Sequence, residues 1–247
     1  MRKIWIIARK DIREAFRTRS TYLYIIFLVV FSIIYISNYS TVISRLVAEN
    51  PVRSIMIQQS QEILNSMAAA LPMMFSIWLC TIFATYAVVV EKAKRNLESL
   101  MAAPVSVNQI WIGKSLAVVL PSLAVGLIVA IVVYVAVNLV LIIPHTGRFI
   151  VPGPVALVTA LIIVPLLIFA VVSLVLYLQL VISNPRVANF AFIGIFFLLF
   201  FGVNALTQLG MGIDFSYIYG GVVVVCGIAA YFLSRSLTRE KVLLSSK

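Results

Sequence analysis

The 247-residue chain is 63% hydrophobic and only 11% charged, with a mean hydropathy of +1.12. Soluble domains are nearer half apolar, so this composition excludes an ordinary soluble protein and indicates an all-α polytopic membrane protein. The formal net charge of +11 collects at the ends of apolar runs, which indicates membrane orientation and not nucleic-acid binding. Two cysteines, Cys80 and Cys226, are too few for a disulfide framework.

The first twenty residues predict a basic amphipathic helix at the membrane interface. Arg9, Arg13 and Arg17 are four residues apart and share one helical face. The opposite face carries an apolar stripe of Trp5, Ala8, Ile12, Ala15 and Phe16. In such a helix the cations turn toward lipid phosphate, so these three arginines and Lys10 are candidate membrane contacts. The alternative is a plain positively charged anchor with no docking role.

Runs without charged residues predict six membrane spans, since each run reaches the ~20 residues that cross ~30 Å of hydrocarbon. Together they make one transmembrane domain, 1–247, with spans near 22–40, 68–90, 115–143, 154–181, 187–209 and 215–234. Residues 54–67 could continue the second span outward as a polar helix. Proline inside a span usually marks a kink that neighbouring helices satisfy, with a moving hinge as the alternative; the candidates are Pro72, Pro121 and Pro165.

Six spans place both termini on one side of the membrane. Of the 19 Lys and Arg residues, only Arg45, Arg53 and Arg148 would then lie in the opposite loops. The positive-inside rule therefore predicts a cell-membrane protein with both termini and the segment 91–105 in the cytoplasm.

No Asp, Glu, Lys, Arg or His lies in the middle of a predicted span. Proton-coupled pumps and many ion-coupled carriers keep such groups at depth, so the chain has no evident energy-coupling group of its own. His145 is the single histidine, which excludes a multi-histidine metal site and leaves a catalytic triad without a buried base. We therefore predict no catalytic residue, no metal ligand and no cofactor bound by this chain.

Two further patterns have a structural interpretation. Gly113-Lys114-Ser115 matches the end of a phosphate-binding loop, but Asn108 stands where the first glycine is needed. Lys114 is therefore interpreted as a cationic anchor at the start of the third span. Polar residues inside spans are expected to form interhelical hydrogen bonds, with lining of a substrate path as the alternative. They are Asn138, Gln179, Asn204 and Gln208.

Residues 91–105 form the only long polar stretch between two apolar runs. Leu97, Leu100 and Met101 follow i, i+3, i+4 spacing, which predicts a short helix with one apolar ridge. Pro104 ends this helix, because proline disfavours helical geometry in the residue before it.

This stretch resembles the signature E-[KR]-E-x-x-T-L-E-x-L-L-x-x-P-[VI] of the permeases of type-2 ATP-binding-cassette (ABC) exporters. The matching residues are Glu91, Lys92, Leu97, Glu98, Leu100, Pro104 and Val105. The departures are Ala93, Asn96 and Met101. Residues 8–19 are similar to the interface helix of that family, so Arg9, Lys10, Arg13 and Arg17 become candidate ATPase contacts as well.

The resemblance implies a cytoplasmic coupling helix, formed by the matching residues and Met101, that docks on a separate ABC ATPase. The two leucines and Met101 would be buried in the partner, and Glu91 and Glu98 would pair with basic groups or cap backbone amides at its rim. ATP and Mg²⁺ would sit on the ATPase, and a second permease copy, identical or different, would complete the path. A short re-entrant hairpin around 202–217 is conceivable between spans 5 and 6. An apolar path suits a lipidic, drug-like or amphipathic peptide substrate.

Three alternatives stay open at this point. The chain could be an ion channel or secondary carrier, which the lack of ionisable groups inside the spans disfavours. It could be a membrane scaffold or immunity subunit without a transport path. A membrane enzyme is the third alternative.

Overall fold

The computed structural model describes residues 2–49, 53–94, 105–182 and 215–237, and single positions or short stretches at 184, 187, 190, 193–195, 197, 198, 201 and 242. Every regular element in these residues is helical. The prediction of an all-α polytopic membrane protein is confirmed.

Six long helices follow one another in the described residues. Three are uninterrupted: α1 (Arg2–Arg17), α2 (Arg19–Glu49) and α6 (Phe215–Ser236). The other three each contain a short π-helical stretch, a widened turn that is often found at functional positions. They are α3 (Arg53–Ala84, Thr85–Val90, Glu91–Ala93), α4 (Val107–Val137, Asn138–Ile142, Ile143–Thr146) and α5 (Pro154–Val158, Thr159–Ile163, Val164–Val181).

Five of these helices are long and apolar enough to cross a membrane. The segments are Thr21–Thr41, Met56–Ala93, Val107–Thr146, Pro154–Val181 and Ser216–Ser236. The predicted fifth span, 187–209, and the hairpin lie largely outside the described residues, so the count of six stays a prediction. The polar extension of the second span is confirmed, because α3 already begins at Arg53.

The start of α4 differs from the prediction. The helix begins at Val107, eight positions before the predicted start of the third span. A capping box explains this start: Ser106 Oγ accepts from the Gln109 amide, and Gln109 Oε1 accepts from the Ser106 amide, each at 3.3 Å. Lys114 therefore lies inside a helix and not in a loop.

The centre of the bundle is the contact between α3 and α4. Gly126 on α4 lies against Ser76 on α3, where an added Cβ would stand 2.3 Å from the serine oxygen and 2.9 Å from its backbone nitrogen. Ser122 and Ala130, one turn to either side of Gly126, are also buried. Such a stripe of small residues lets two membrane helices approach closely. α5 joins this centre, since Trp111 Nε1 donates to the Ser173 carbonyl at 2.9 Å.

The outer layer consists of α2 and α6, whose large apolar side chains are mostly exposed. Exposed apolar faces on helices of this length fit a surface that faces lipid or another membrane subunit. α2 turns away from α1 at a joint where the hydroxyls of Thr18 and Thr21 both donate to the Ala15 carbonyl, at 2.5 and 2.6 Å. These bonds add to the one that the Thr18 amide donates to the same carbonyl at 3.3 Å, so three donors satisfy the Ala15 carbonyl at the end of α1.

Candidate functional site

The N-terminal helix docks on the beginning of α4. Its inner face buries Ile7, Ala8, Asp11 and Ala15. Gly113 on α4 permits this contact, because a Cβ there would lie 3.1 Å from the Ile4 carbonyl oxygen and 3.2 Å from Ile7. The sequence identified the amphipathic helix correctly but not the protein surface on which it packs.

The predicted lipid-facing arginines of α1 lie on the opposite face. Arg9, Arg13 and Arg17 are exposed, as is half of the Lys10 side chain. Their contact with lipid or with an ATPase stays a prediction.

A buried ammonium group stands at the centre of the contact between α1, α3 and α4. Lys114 is fully buried, and its Nζ lies 3.2 Å from Asp11 Oδ2 and 2.5 Å from Glu91 Oε2. It also donates to the Ala87 carbonyl within the π-helical stretch of α3. The interpretation of Lys114 as a cationic anchor at the start of the third span is wrong, because the early start of α4 carries the side chain into the bundle, where it forms ion pairs.

Glu91 uses each of its two carboxylate oxygens for a different lysine. Oε2 faces Lys114, and Oε1 accepts from Lys10 Nζ at 3.0 Å. Lys10 also lies 3.9 Å from Glu14 Oε1, at the exposed edge. Two buried carboxylates, Asp11 and Glu91, thus face one buried ammonium, and the half-exposed Lys10 supplies the second positive charge. This pairing is what burial of charge requires.

Two titratable groups of α1 that pair across the contact, Asp11 and Lys10, have shifted pKa values. Burial raises the pKa of the Asp11 carboxyl, and the charge of Lys114 lowers it only in part, so the pKa lies above its usual value. For Lys10, burial lowers the pKa, but the hydrogen bond and charge of Glu91 outweigh this, so the net shift is upward. The raised pKa of Lys10 reflects its ion pair, whereas that of Asp11 reflects the cost of burial.

Lys92, next to Glu91, bonds in a different direction. Its Nζ donates to the carbonyls of Leu180 at 3.1 Å and of Ile182 at 2.9 Å. These carbonyls lie at the end of α5, where a helix leaves acceptors unpaired and carries partial negative charge. The pair Glu91-Lys92 therefore ties the end of α3 to three other helices: α1, α4 and α5. We call this arrangement of Lys10, Asp11, Glu91, Lys92 and Lys114 the junction.

The junction stands directly at the root of the predicted coupling helix. α3 ends at Ala93 and Lys94 follows as its cap, while residues 95–104 lie outside the described part of the chain. The predicted contacts there are Leu97, Glu98, Leu100, Met101 and Pro104, and their role stays a prediction. Val105, where the description resumes, packs against the hydrophobic core. Glu91 pairs with Lys10 and Lys114 of this chain, and its predicted contact at the rim of an ATPase cleft stays a prediction.

Carboxylates of Asp11, Glu14 and Glu91 approach one another within 4.8 Å, a spacing that could hold a metal ion. The cations that already lie among them are the lysines Lys10 and Lys114. The cluster is therefore a set of ion pairs, and we assign no metal to it.

The predicted path-lining residues fall in two groups. Asn138 and Gln179 are fully buried. Asn138 holds the turn 147–153, because its Oδ1 accepts from the Ile150 amide at 3.0 Å. Asn204 and Gln208 lie outside the described residues.

An apolar groove that the sequence did not indicate runs along one side of α3. Three cavities of about 590, 320 and 380 Å³ follow one another and share lining residues, Thr85 and Ile193 between the first two and Trp78 between the last two. The walls of the third are mainly aromatic and otherwise apolar, formed by Phe27, Leu28, Phe31, Tyr35, Met74, Phe75, Trp78, Phe197 and Phe201. These aromatic residues come from three separate segments, and no local pattern shows that the three meet.

Comparison with known proteins places the chain in a family. The family model described as "ABC-2 family transporter protein" matches residues 5–219, which include most of α1, the junction and the groove. No curated protein matches the chain. The family match and the apolar helices together identify a multi-pass membrane permease, and the chain belongs to the ABC-2 family of transporter proteins.

Proposed function

We propose that the chain is the permease subunit of an ABC exporter and that ATP hydrolysis in a separate ATPase subunit drives it. Family membership supports the partnership with an ATP-binding subunit. The observation that carries the coupling is the junction, which joins the root of the segment 91–105 to α1, α4 and α5. A docked partner that displaces this root acts on three helices at once.

In this proposal the junction lies at the cytoplasmic end of the bundle, in the cell membrane. The basic face of α1, with Arg9, Arg13 and Arg17 exposed, supports this side by the positive-inside rule. The coupling helix then projects from the junction into the cytoplasm, where its leucine ridge is buried in a cleft of the ATPase. ATP and Mg²⁺ belong to that partner.

The groove along α3 is our candidate for part of the translocation path. Its walls are mainly apolar, which supports a lipidic, drug-like or amphipathic peptide substrate. A second permease copy would cover apolar surface that a single chain leaves exposed, as on α2 and α6.

Association with the ATPase tests this proposal. The permease is co-expressed with its ABC ATPase as the double variant Leu97→Glu/Leu100→Glu, which places two charges on the apolar ridge. We expect the variant to insert in the membrane normally but to lose co-purification with the ATPase, because charged side chains cannot be buried unpaired in the cleft. Val151→Glu is the control for an added carboxylate, since it places one negative charge on an exposed side chain of the turn 147–153.

Two outcomes would contradict the proposal. Retained co-purification and retained ATP hydrolysis in the double variant would show that the ridge is not the contact. Transport by the purified permease alone, driven by an ion gradient, would point to a secondary carrier.

A further inference from the structure

We propose that Lys114 is a positioning residue for energy coupling, which fastens α1 and the root of the coupling helix to α4 so that the three move as one unit. This inference rests on the proposed function, but part of its test needs no ATPase. It also gives Glu91 and Asp11 a role inside the chain, as partners of one ammonium group.

The donors and acceptors match in number. A lysine ammonium offers three N–H donors. Lys114 directs them to three acceptors on two other helices: Asp11 on α1, and Glu91 and the Ala87 carbonyl on α3. Because Lys114 is fully buried, water cannot replace any of these partners without opening the contact. The ammonium group therefore holds α1, α3 and α4 at one point.

Charge also fixes the register of α1 in a way that an apolar contact would not. Asp11 is flanked in sequence by Lys10 and Ile12. A one-residue slip of α1 would turn either the like-charged Lys10 or the apolar Ile12 toward Lys114. Apolar side chains of similar volume often stabilise a core as well as a buried ion pair does, whereas the pair specifies one arrangement.

The π-helical stretch Thr85–Val90 separates the junction from the long membrane part of α3. It lies between Ala84 and Glu91, and its Ala87 carbonyl is itself a partner of Lys114. Widened turns of this kind are frequent where helices change direction or serve a function. A displacement of the coupling helix is thus passed through Glu91 to Lys114, and from there to α1 and α4, while the π-helical stretch allows the rest of α3 to adjust.

The first test measures the fastening in the permease alone. Spin labels are attached at Arg9→Cys on the exposed face of α1 and at Lys94→Cys beyond the end of α3, after replacement of Cys80 and Cys226. In the otherwise unchanged protein the distance distribution between the labels is expected to be narrow. Lys114→Met should broaden it, because methionine fills much of the space but offers no N–H donor. Lys114→Arg, which keeps the charge and several donors, should restore the narrow distribution.

The second test measures coupling in the assembled complex. The permease and its ATPase are reconstituted in vesicles of phosphatidylethanolamine and phosphatidylglycerol, and ATP hydrolysis is compared with that of the ATPase subunit alone. Lys114→Met should still co-purify with the ATPase, but the permease-dependent kcat should fall roughly two- to thirtyfold, with an unchanged KM for ATP. Lys3→Met, which removes an exposed charge from α1, the helix that Lys114 holds, should leave the hydrolysis unchanged.

The inference is overturned if Lys114→Met gives both a narrow label distribution and full permease-dependent hydrolysis. It is equally overturned if only thermal stability falls and the surviving complex couples normally, since that result would show a purely structural lysine. If Lys114→Met does not accumulate in membranes, the same two measurements are made on Asp11→Asn. This substitution removes only the negative charge that α1 places against Lys114. A wild-type permease that does not bind the ATPase would instead contradict the proposed function. The distance distribution between the spin labels would then be the test of whether Lys114 holds α1 to α3 and α4.

Discussion

Substitution of Glu91 separates an internal role from a contact with the ATPase. Glu91→Gln keeps the shape of the side chain and one carbonyl oxygen but removes the charge that faces Lys114 and Lys10. If Glu91 acts by pairing with Lys114 and Lys10, the Glu91→Gln permease should be less stable than the wild type even when no ATPase is present. A residue that only touched the partner at the rim would leave the isolated permease unchanged.

The size of the effect follows from the two ion pairs. Loss of one partner from a buried pair costs about 3–5 kcal/mol. Asp11 still faces Lys114 in the variant, so we take the lower end, about 3 kcal/mol. The second pair adds little, because Lys10 is 50% exposed and solvent screens it. At roughly 2–4 °C per kcal/mol for a chain of this size, the midpoint of thermal unfolding should fall by about 6–12 °C.

The assay is thermal unfolding of the purified permease in detergent, followed by tryptophan fluorescence and by recovery of the monodisperse species. Glu14→Gln is the matched control, because Glu14 belongs to the edge of the same cluster but is exposed and 3.9 Å from Lys10. It should cost less than about 0.5 kcal/mol. Equal midpoints for Glu91→Gln and Glu14→Gln would refute the reasoning.

Two further predictions concern packing and pH. Gly126→Ala should destabilise the permease by about 1–3 kcal/mol, because the new methyl group overlaps Ser76 including its backbone. Gly220→Ala on α6 is the control, because a methyl group there meets nothing within 4 Å and should be neutral or slightly stabilising. Equal unfolding midpoints for the two variants would contradict the close contact of α3 and α4. For the pH prediction, the difference in unfolding midpoint between the wild type and Asp11→Asn is measured as a function of pH. Between the ordinary Asp pKa of 3.8 and the raised pKa of Asp11 in the folded state, the folded state binds more protons than the unfolded state. The midpoint of the wild type relative to the variant should therefore be highest below pH 3.8 and should decline as pH rises through the folded-state pKa. Lys114, Glu91 and Lys10, which face Asp11, are the same in both proteins, so a difference that rises with pH would contradict the sign.

Local patterns of the chain were enough to predict its class and most of its helices. Charge-free runs located the helices that include Thr21–Thr41 and Pro154–Val181, because the need to satisfy backbone groups in hydrocarbon leaves an apolar run little choice but a helix. The spacing of Arg9, Arg13 and Arg17 predicted the amphipathic α1 for the same local reason. The signature that begins at Glu91 pointed to the family that the family model then matched.

Tertiary structure alone decided the meaning of the charged residues. The sequence presents Glu91 as part of a polar stretch and Lys114 as a cation at the start of the third span, and a charge next to an apolar run is normally solvated or placed at the membrane surface. Lys114 instead meets Asp11 across 103 positions of chain, and Lys92 meets Leu180 across 88. The sequence determined where the helices run because hydrophobicity and spacing act locally, but the pairing of buried charges depends on which helices approach, and that is set only when the bundle packs.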